Sequence, residues 1–158
     1  MRHLTLVAAA VLVLSGSTTT ATSAQSEEDA VVQVVVDLFD GMRARDEAAL
    51  RSVFVDGARL SAPATDDDGN PTVRDTPIDQ FIASIVGANT EALLDERIYD
   101  PEVRIDGGLA TVWVAYDFYL GEDFSHCGFD AFQLTNTAGG WKIFQIADTR
   151  QREGCPER

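Results

Sequence analysis

Leu109-Ala110-Thr111-Val112-Trp113-Val114-Ala115-Tyr116-Asp117-Phe118-Tyr119-Leu120 alternates in character with a period of two. It reads as a long β-strand with Ala110, Val112, Val114, Tyr116 and Phe118 on one face and Trp113 and Tyr119 on the other. Ahead of it, Asp106-Gly107-Gly108 is a hairpin turn that joins it to another extended segment. In Leu94-Asp95-Glu96-Arg97-Ile98 the even positions are apolar apart from Glu96, whereas after Asp100-Pro101 the apolar positions are odd, at Val103 and Ile105. Proline cannot donate to a strand ladder, so this phase switch predicts a bulge that bends the strand. Downstream, a loop through Gly121-Glu122-Asp123 leads to a strand over 129–135, a turn over 136–140 and a last strand over 141–149.

The first half is helical in pattern. Ser26 is placed to cap a helix with Glu27, Glu28 and Asp29 in its first turn, where the helix dipole favours acids. Val31, Val34, Val35, Leu38, Phe39 and Met42 recur at helical spacing up to an end near Arg45. Asp46 then caps a second, short helix with Ala49, Leu50, Val53 and Phe54 on one face, Asp56-Gly57 breaks it, and Ala58 to Ala62 forms a short strand. Pro63 to Asp75 reads as a polar loop. Its run Asp66-Asp67-Asp68 invites a calcium reading, but an EF-hand-like loop counted from Asp66 would need Gly and Glu where Pro71 and Pro77 stand. Thr76 is expected to cap a third helix, with Pro77 at its first position, Ile78, Phe81, Ile82, Ile85 and Val86 as its buried face, and Gly87 at its end.

The N-terminus has the makeup of a cleavable signal peptide. Arg2 and His3 precede an apolar run from Leu4 to Leu14, shorter than the roughly 20 residues of a membrane-spanning helix. Thr22-Ser23-Ala24 offers small side chains for cleavage after Ala24. The expectation is a signal peptide over 1–24, a single domain over 25–158, export to the periplasm or beyond, and no membrane association after cleavage. With 26 acidic against 12 basic residues and a net charge of −14, the chain is unsuited to nucleic acid or to an anionic membrane surface. Cys127 and Cys155 are the two cysteines, and in an oxidising compartment an even pair favours a disulfide over two free thiols. Beyond the leader His126 is the one histidine, so no Cys/His metal site can be assembled. Export also argues against cytosolic cofactors such as nicotinamides, and no cofactor is expected.

Two helices, a short strand, a third helix and then long, bent antiparallel strands make an α+β order of elements, in which helices cover one side of a curved sheet. The helix over 29–45 running into Asp46-Glu47-Ala48-Ala49-Leu50 resembles the nuclear transport factor 2-like superfamily, particularly its SnoaL-like and ketosteroid-isomerase-like bacterial members. So do the strand start Gly108-Leu109-Ala110-Thr111-Val112-Trp113 and the opening Gly140-Trp141-Lys142-Ile143 of the last strand. The resemblance spans 27–149 and implies a cystatin-like cone: a strongly bent antiparallel sheet around a cavity closed by N-terminal helices. It does not fix an activity, because one fold hosts many.

Isomerase chemistry of the ketosteroid type, as the resemblance implies it, needs a tyrosine from the first helix, and this helix carries Leu38 and Phe39 instead. Dehydratase-like relatives use a histidine, which here would be His126. His126 and Asp130 share a face but stand roughly 13 Å apart along a straight strand, too far for a bonded dyad, so a partner for His126 would come from Asp148 or Arg150. Glu96 shares a face with Leu94 and Ile98. It either points into the cone as a proton carrier or hydrogen-bond partner, or pairs with an arginine such as Arg104. Tyr116 and Phe118 line the cone as packing or as ligand contacts. The candidate site is thus Glu96, Tyr116, Phe118 and Asp130 for a small, partly apolar ligand, with Glu96 or His126 as proton carrier if the protein is a cofactor-free lyase or isomerase. A third reading is association as a homodimer through the outer face of the sheet, where Trp113 and Tyr119 fall.

Overall fold

The structure, a computed structural model, describes residues 19–88 and 91–157, with side chains from residue 26 onward. The first 18 positions of the expected signal peptide lie outside the described residues. The elements run α1 (Thr19–Ala44), α2 (Glu47–Ser52), β1 (Phe54–Thr65), β2 (Pro71–Pro77), α3 (Ile78–Val86), β3 (Leu94–Asp106), β4 (Leu109–Leu120), β5 (Asp123–Thr137) and β6 (Gly140–Asp148). Helix α1 begins before Ser26, so Ser26 lies inside the helix and does not cap it. Asp46 caps α2 as expected, its carboxylate accepting from the amides of Ala48 and Ala49 at 2.9 and 3.0 Å.

The six strands form one sheet in the order β2-β1-β6-β5-β4-β3. Every neighbouring pair is antiparallel except β1 and β6, which run parallel and make the sheet mixed. The bend foreseen in β3 is present: its register against β4 slips between Tyr99 and Glu102, and Asp100 takes a positive φ of 49°. A second irregularity lies in β1 between Phe54 and Arg59, around Gly57 at φ 76°.

Several segments are more extended than the sequence pattern suggests. Phe54 leaves the α2 face to start β1, and most of the supposed loop over 63–75 is a hairpin of β1 with β2. At its tip Asp66 Oδ1 accepts from the amides of Asp68 and Asn70 at 3.0 and 2.8 Å, so this aspartate organises a turn. Thr76 belongs to β2 and caps nothing; the N-cap of α3 is Pro77, without a side-chain hydrogen bond. Val86 ends α3 at 38 % exposure, outside the buried face that Ile78 and Ile82 provide. Strand β5 starts at Asp123 rather than near Phe129, which brings His126 and Cys127 into the sheet.

The core fills the concave side of the sheet. Val31, Val35, Leu38, Phe39 and Met42 of α1 pack on Val112, Val114, Phe132, Leu134 and Ile143, and Phe39 meets Phe132 edge to face at 6.1 Å. Beyond β6 the chain folds back along β5, with paired amide bonds of 2.9 Å between Cys127 and Gln151 and the disulfide between Cys127 and Cys155.

Candidate functional site

Toward one end of the cone the core gives way to a cavity of about 200 Å³. Its apolar wall comes from α1 (Leu38, Phe39, Met42), α3 (Phe81, Ile85) and the sheet (Phe118, Phe132, Ile146), and its polar side from Glu96, Tyr116, His126, Asp130, Asp148 and Arg150. All five residues singled out from the sequence thus border one space.

Register explains how two acids meet there. Glu96 of β3 lies opposite Phe118 of β4, while Asp130 of β5 lies opposite Val114 of β4 and Asp148 of β6. The acids therefore stand on strands flanking β4, two positions to either side of Tyr116. Both border the cavity with that tyrosine, and their carboxyl groups are in hydrogen-bond contact. Helix α1 holds the segment that carries Glu96, because Arg43 Nε bonds Asp95 Oδ1 at 2.7 Å and Arg43 Nη2 donates to the Glu96 carbonyl at 3.2 Å. Arg104, the expected alternative partner, lies beyond the bulge opposite Thr111 and does not pair with Glu96.

Asp130 is 4 % exposed, and its Oδ2 is buried without a hydrogen-bond donor among the described residues. Two ionised carboxylates offer only acceptors, so their contact requires a proton on one of them. Burial raises the pKa of Asp130 well above the carboxylate range, and the charge of Glu96 raises it further. Burial pushes Glu96 up to about 7, although the hydrogen bond from Asp130 works in the opposite direction. The arrangement that follows is a protonated Asp130 donating to Glu96, with Glu96 poised between its two states at neutral pH.

The remaining groups are more committed. Tyr116 is 2 % exposed and donates its hydroxyl to the Thr149 carbonyl at 2.8 Å, so it meets the cavity with its ring; burial raises its pKa. Phe118 is half-buried and packs on His126 with ring centroids 5.0 Å apart. His126 is half-buried, its Nδ1 3.0 Å from Ser125 Oγ. Burial and the neighbouring Arg150 hold its pKa below the usual histidine value, which leaves it neutral at pH 7. The partners considered for it are bonded to each other, Arg150 Nε to Asp148 Oδ2 at 2.7 Å.

Sequence reasoning put Asp130 in the same candidate set as Glu96 but missed the contact between them, which no spacing along one strand could reveal. Phe81 and Ile85 read only as the apolar face of a helix, with nothing to show that part of that face borders an open space.

A family model described as "Putative lumazine-binding" matches residues 26–146. The chain belongs to this family. Structures similar to this lumazine-binding family member share its fold at low identity. One is a nuclear transport factor 2-like protein with a cystatin-like fold from Novosphingobium aromaticivorans, with TM-score 0.67, 11 % identity, and 90 % of this chain and 94 % of the other covered. Another, of unknown function and from Shewanella baltica, has TM-score 0.62 and 19 % identity over 87 % of this chain and all of its own. A third, titled a "putative dehydratase" of the same superfamily from Streptomyces avermitilis, has TM-score 0.64 and 16 % identity, covering 82 % of this chain and 99 % of its own. No curated protein matches the sequence. The family model and these neighbours place the lumazine-binding family member in the nuclear transport factor 2-like superfamily, with its α+β cystatin-like fold.

Proposed function

We propose that the cone is a binding site for a small, partly apolar molecule, anchored at its polar side by the pair of Glu96 and Asp130. The observation that carries this is the buried pair of Glu96 and Asp130 carboxyls on the polar side of a cavity whose opposite wall is apolar. A largely apolar cavity with a few convergent polar groups is the usual form of a small-molecule site. The family description names lumazine, a flat heteroaromatic with carbonyl and N–H groups. A ligand of that kind suits the rings of Phe39, Phe118 and Phe132 together with a carboxyl pair that both donates and accepts. The reading includes export by a signal peptide over 1–24, supported by the disulfide between Cys127 and Cys155, a bond of oxidising compartments.

Native mass spectrometry of the protein purified from its source organism tests this. The expected result is a bound small molecule that Ile85→Trp, which fills the cavity, removes. An adduct that survives this substitution undiminished contradicts the proposal. A second reading, a cofactor-free lyase or isomerase, is favoured by the position of Glu96 near 7, where a carboxyl can take and return a proton. It predicts that Glu96→Gln abolishes turnover of the bound molecule while leaving its binding within a few fold; unchanged turnover rules it out.

A further inference from the structure

The cavity does not end at the carboxyl pair. Leu60, Phe81, Ser84, Asp148 and Arg150 border both the inner cavity and an outer chamber of about 320 Å³, which Arg74 of β2 and Gln80 of α3 complete. Arg150 commits only its Nε to Asp148, which leaves both Nη groups without a partner among the described residues. The Arg74 side chain makes no hydrogen bond or ion pair among the described residues. On the other side of Arg150, Arg152 borders a surface hollow together with His126. Two arginines therefore border the outer chamber, with Arg152 on a neighbouring hollow, in a chain whose net charge is −14. With Asp148 neutralised by Arg150, the outer chamber carries a net excess of one positive charge, that of Arg74.

The location of Arg150 is built, not incidental. It follows Thr149, whose carbonyl accepts from Tyr116, and precedes Gln151, which is paired to Cys127 and tied down by the nearby disulfide. The guanidinium is thus presented from a pinned segment, while Arg74 reaches the same chamber from the edge strand of the sheet. Guanidinium groups with free N–H donors in a partly enclosed chamber match an oxyanion, which accepts from several donors at once.

We infer that the ligand of this site is anionic: an apolar body enters the inner cavity and an oxyanion headgroup rests in the outer chamber between Arg74 and Arg150. This rests on the reading of the cone as a ligand site and adds the chemical class of the ligand. Carboxylate and phosphate monoester heads share the required chemistry.

Three probes with one phenylalkyl body separate the possibilities: 4-phenylbutyrate, 3-phenylpropyl phosphate and the neutral 4-phenylbutyramide, titrated calorimetrically at pH 7.5 and low salt. The inference predicts that at least one anion binds tenfold or more tightly than the amide, and the tighter anion identifies the headgroup. It predicts that Arg74→Gln, whose side chain is exposed, weakens the anion about tenfold and leaves the amide within twofold, and that Arg150→Gln weakens the anion at least as much. Arg150→Lys retains most of the preference. Equal affinity of amide and anions, or an anion preference that both Gln variants leave intact, overturns the inference while the cavity reading stands. Failure of all three probes to bind overturns both.

Discussion

At Asp130 the chain sets a carboxyl in the middle of β5, with Val114 opposite on one side and Asp148 on the other, and no N–H or hydroxyl among the described residues donates to its Oδ2. Glu96 was legible in the sequence as an acid on an otherwise apolar strand face. Its relation to Asp130 was not, because that contact spans three strands and exists only once the sheet curls. The pair has a consequence for stability. Glu96 and Asp130 both have folded-state pKa values above the ordinary carboxylate range, so the folded protein holds their protons more tightly than the unfolded chain does. Their contribution is complete below about pH 4 and is lost as pH rises through about 7 for Glu96. A tenfold difference in proton affinity between the folded and unfolded states is worth about 1.4 kcal/mol, so urea unfolding should show stability falling by on the order of 2 kcal/mol between pH 5 and pH 8. Asp95, which is held low by Arg43 and Arg97 despite its burial, acts only in more acidic solution. His126, held low by burial and Arg150, contributes a smaller slope of opposite sign in this range, so the comparison with the variants below isolates the carboxyl pair. Glu96→Gln and Asp130→Asn, each still able to hydrogen-bond its partner, should flatten the decline. A wild-type stability that rises over this range, or variants with the same slope, contradicts a shared proton.

The elements differ in how plainly the sequence announced them. Strand β4 and the bulge of β3 were readable because alternation and a proline mark them directly. Strand β2 was not: it is an edge strand, and from Pro71 to Asp75 every residue is exposed, so no apolar face distinguishes it from a loop. The first third of β5 was hidden for a related reason, since Asp123 to Gly128 lacks alternation and is ordered by pairing with β4 on one side and with the returning tail on the other. Gly128 permits that return. A Cβ there would lie 1.9 Å from the Thr149 carbonyl oxygen and 2.9 Å from the Tyr116 ring. Gly128→Ala should therefore displace the tail, at a cost on the order of 2 kcal/mol, and speed hydrogen exchange at the amides of Cys127 and Gln151. Unchanged exchange at both amides would show that the tail does not depend on this close approach. Because Arg150 lies in the same segment, the mouth of the cavity depends on an element whose order comes from one glycine and one disulfide.

Across the whole molecule the cone has two faces with different prospects. The concave face holds the core and the cavity. On the convex face Trp113 and Phe129 stack at 5.2 Å while remaining 49 % and 40 % exposed, and Phe124 is also exposed. Tyr119, expected beside Trp113, is half-buried, with Phe124 edge-on to its ring and the Arg97 guanidinium 4.1 Å from its centroid. Such an apolar strip is the kind of surface that a second copy covers. Under that reading sedimentation should give a dimer that Trp113→Glu dissociates; a wild-type monomer at tens of micromolar rules it out. Fold class and the identity of the lining residues were accessible from the order of elements, since alternation assigns each strand residue to a face. The open space itself was not, because it depends on how far α1 and α3 stand off the bent sheet.

The sharpest test of the cavity as the functional site is chemical-shift mapping by NMR during titration with 4-phenylbutyrate. A ligand in the cone should move the carboxyl resonances of Glu96 and Asp130 and the ring signals of Tyr116 and Phe118 in one saturable transition, and leave the Trp113 indole unmoved. Perturbations confined to Trp113, Phe129 and Phe124, with the carboxyl pair silent, would place binding on the convex face and contradict the cavity as the functional site.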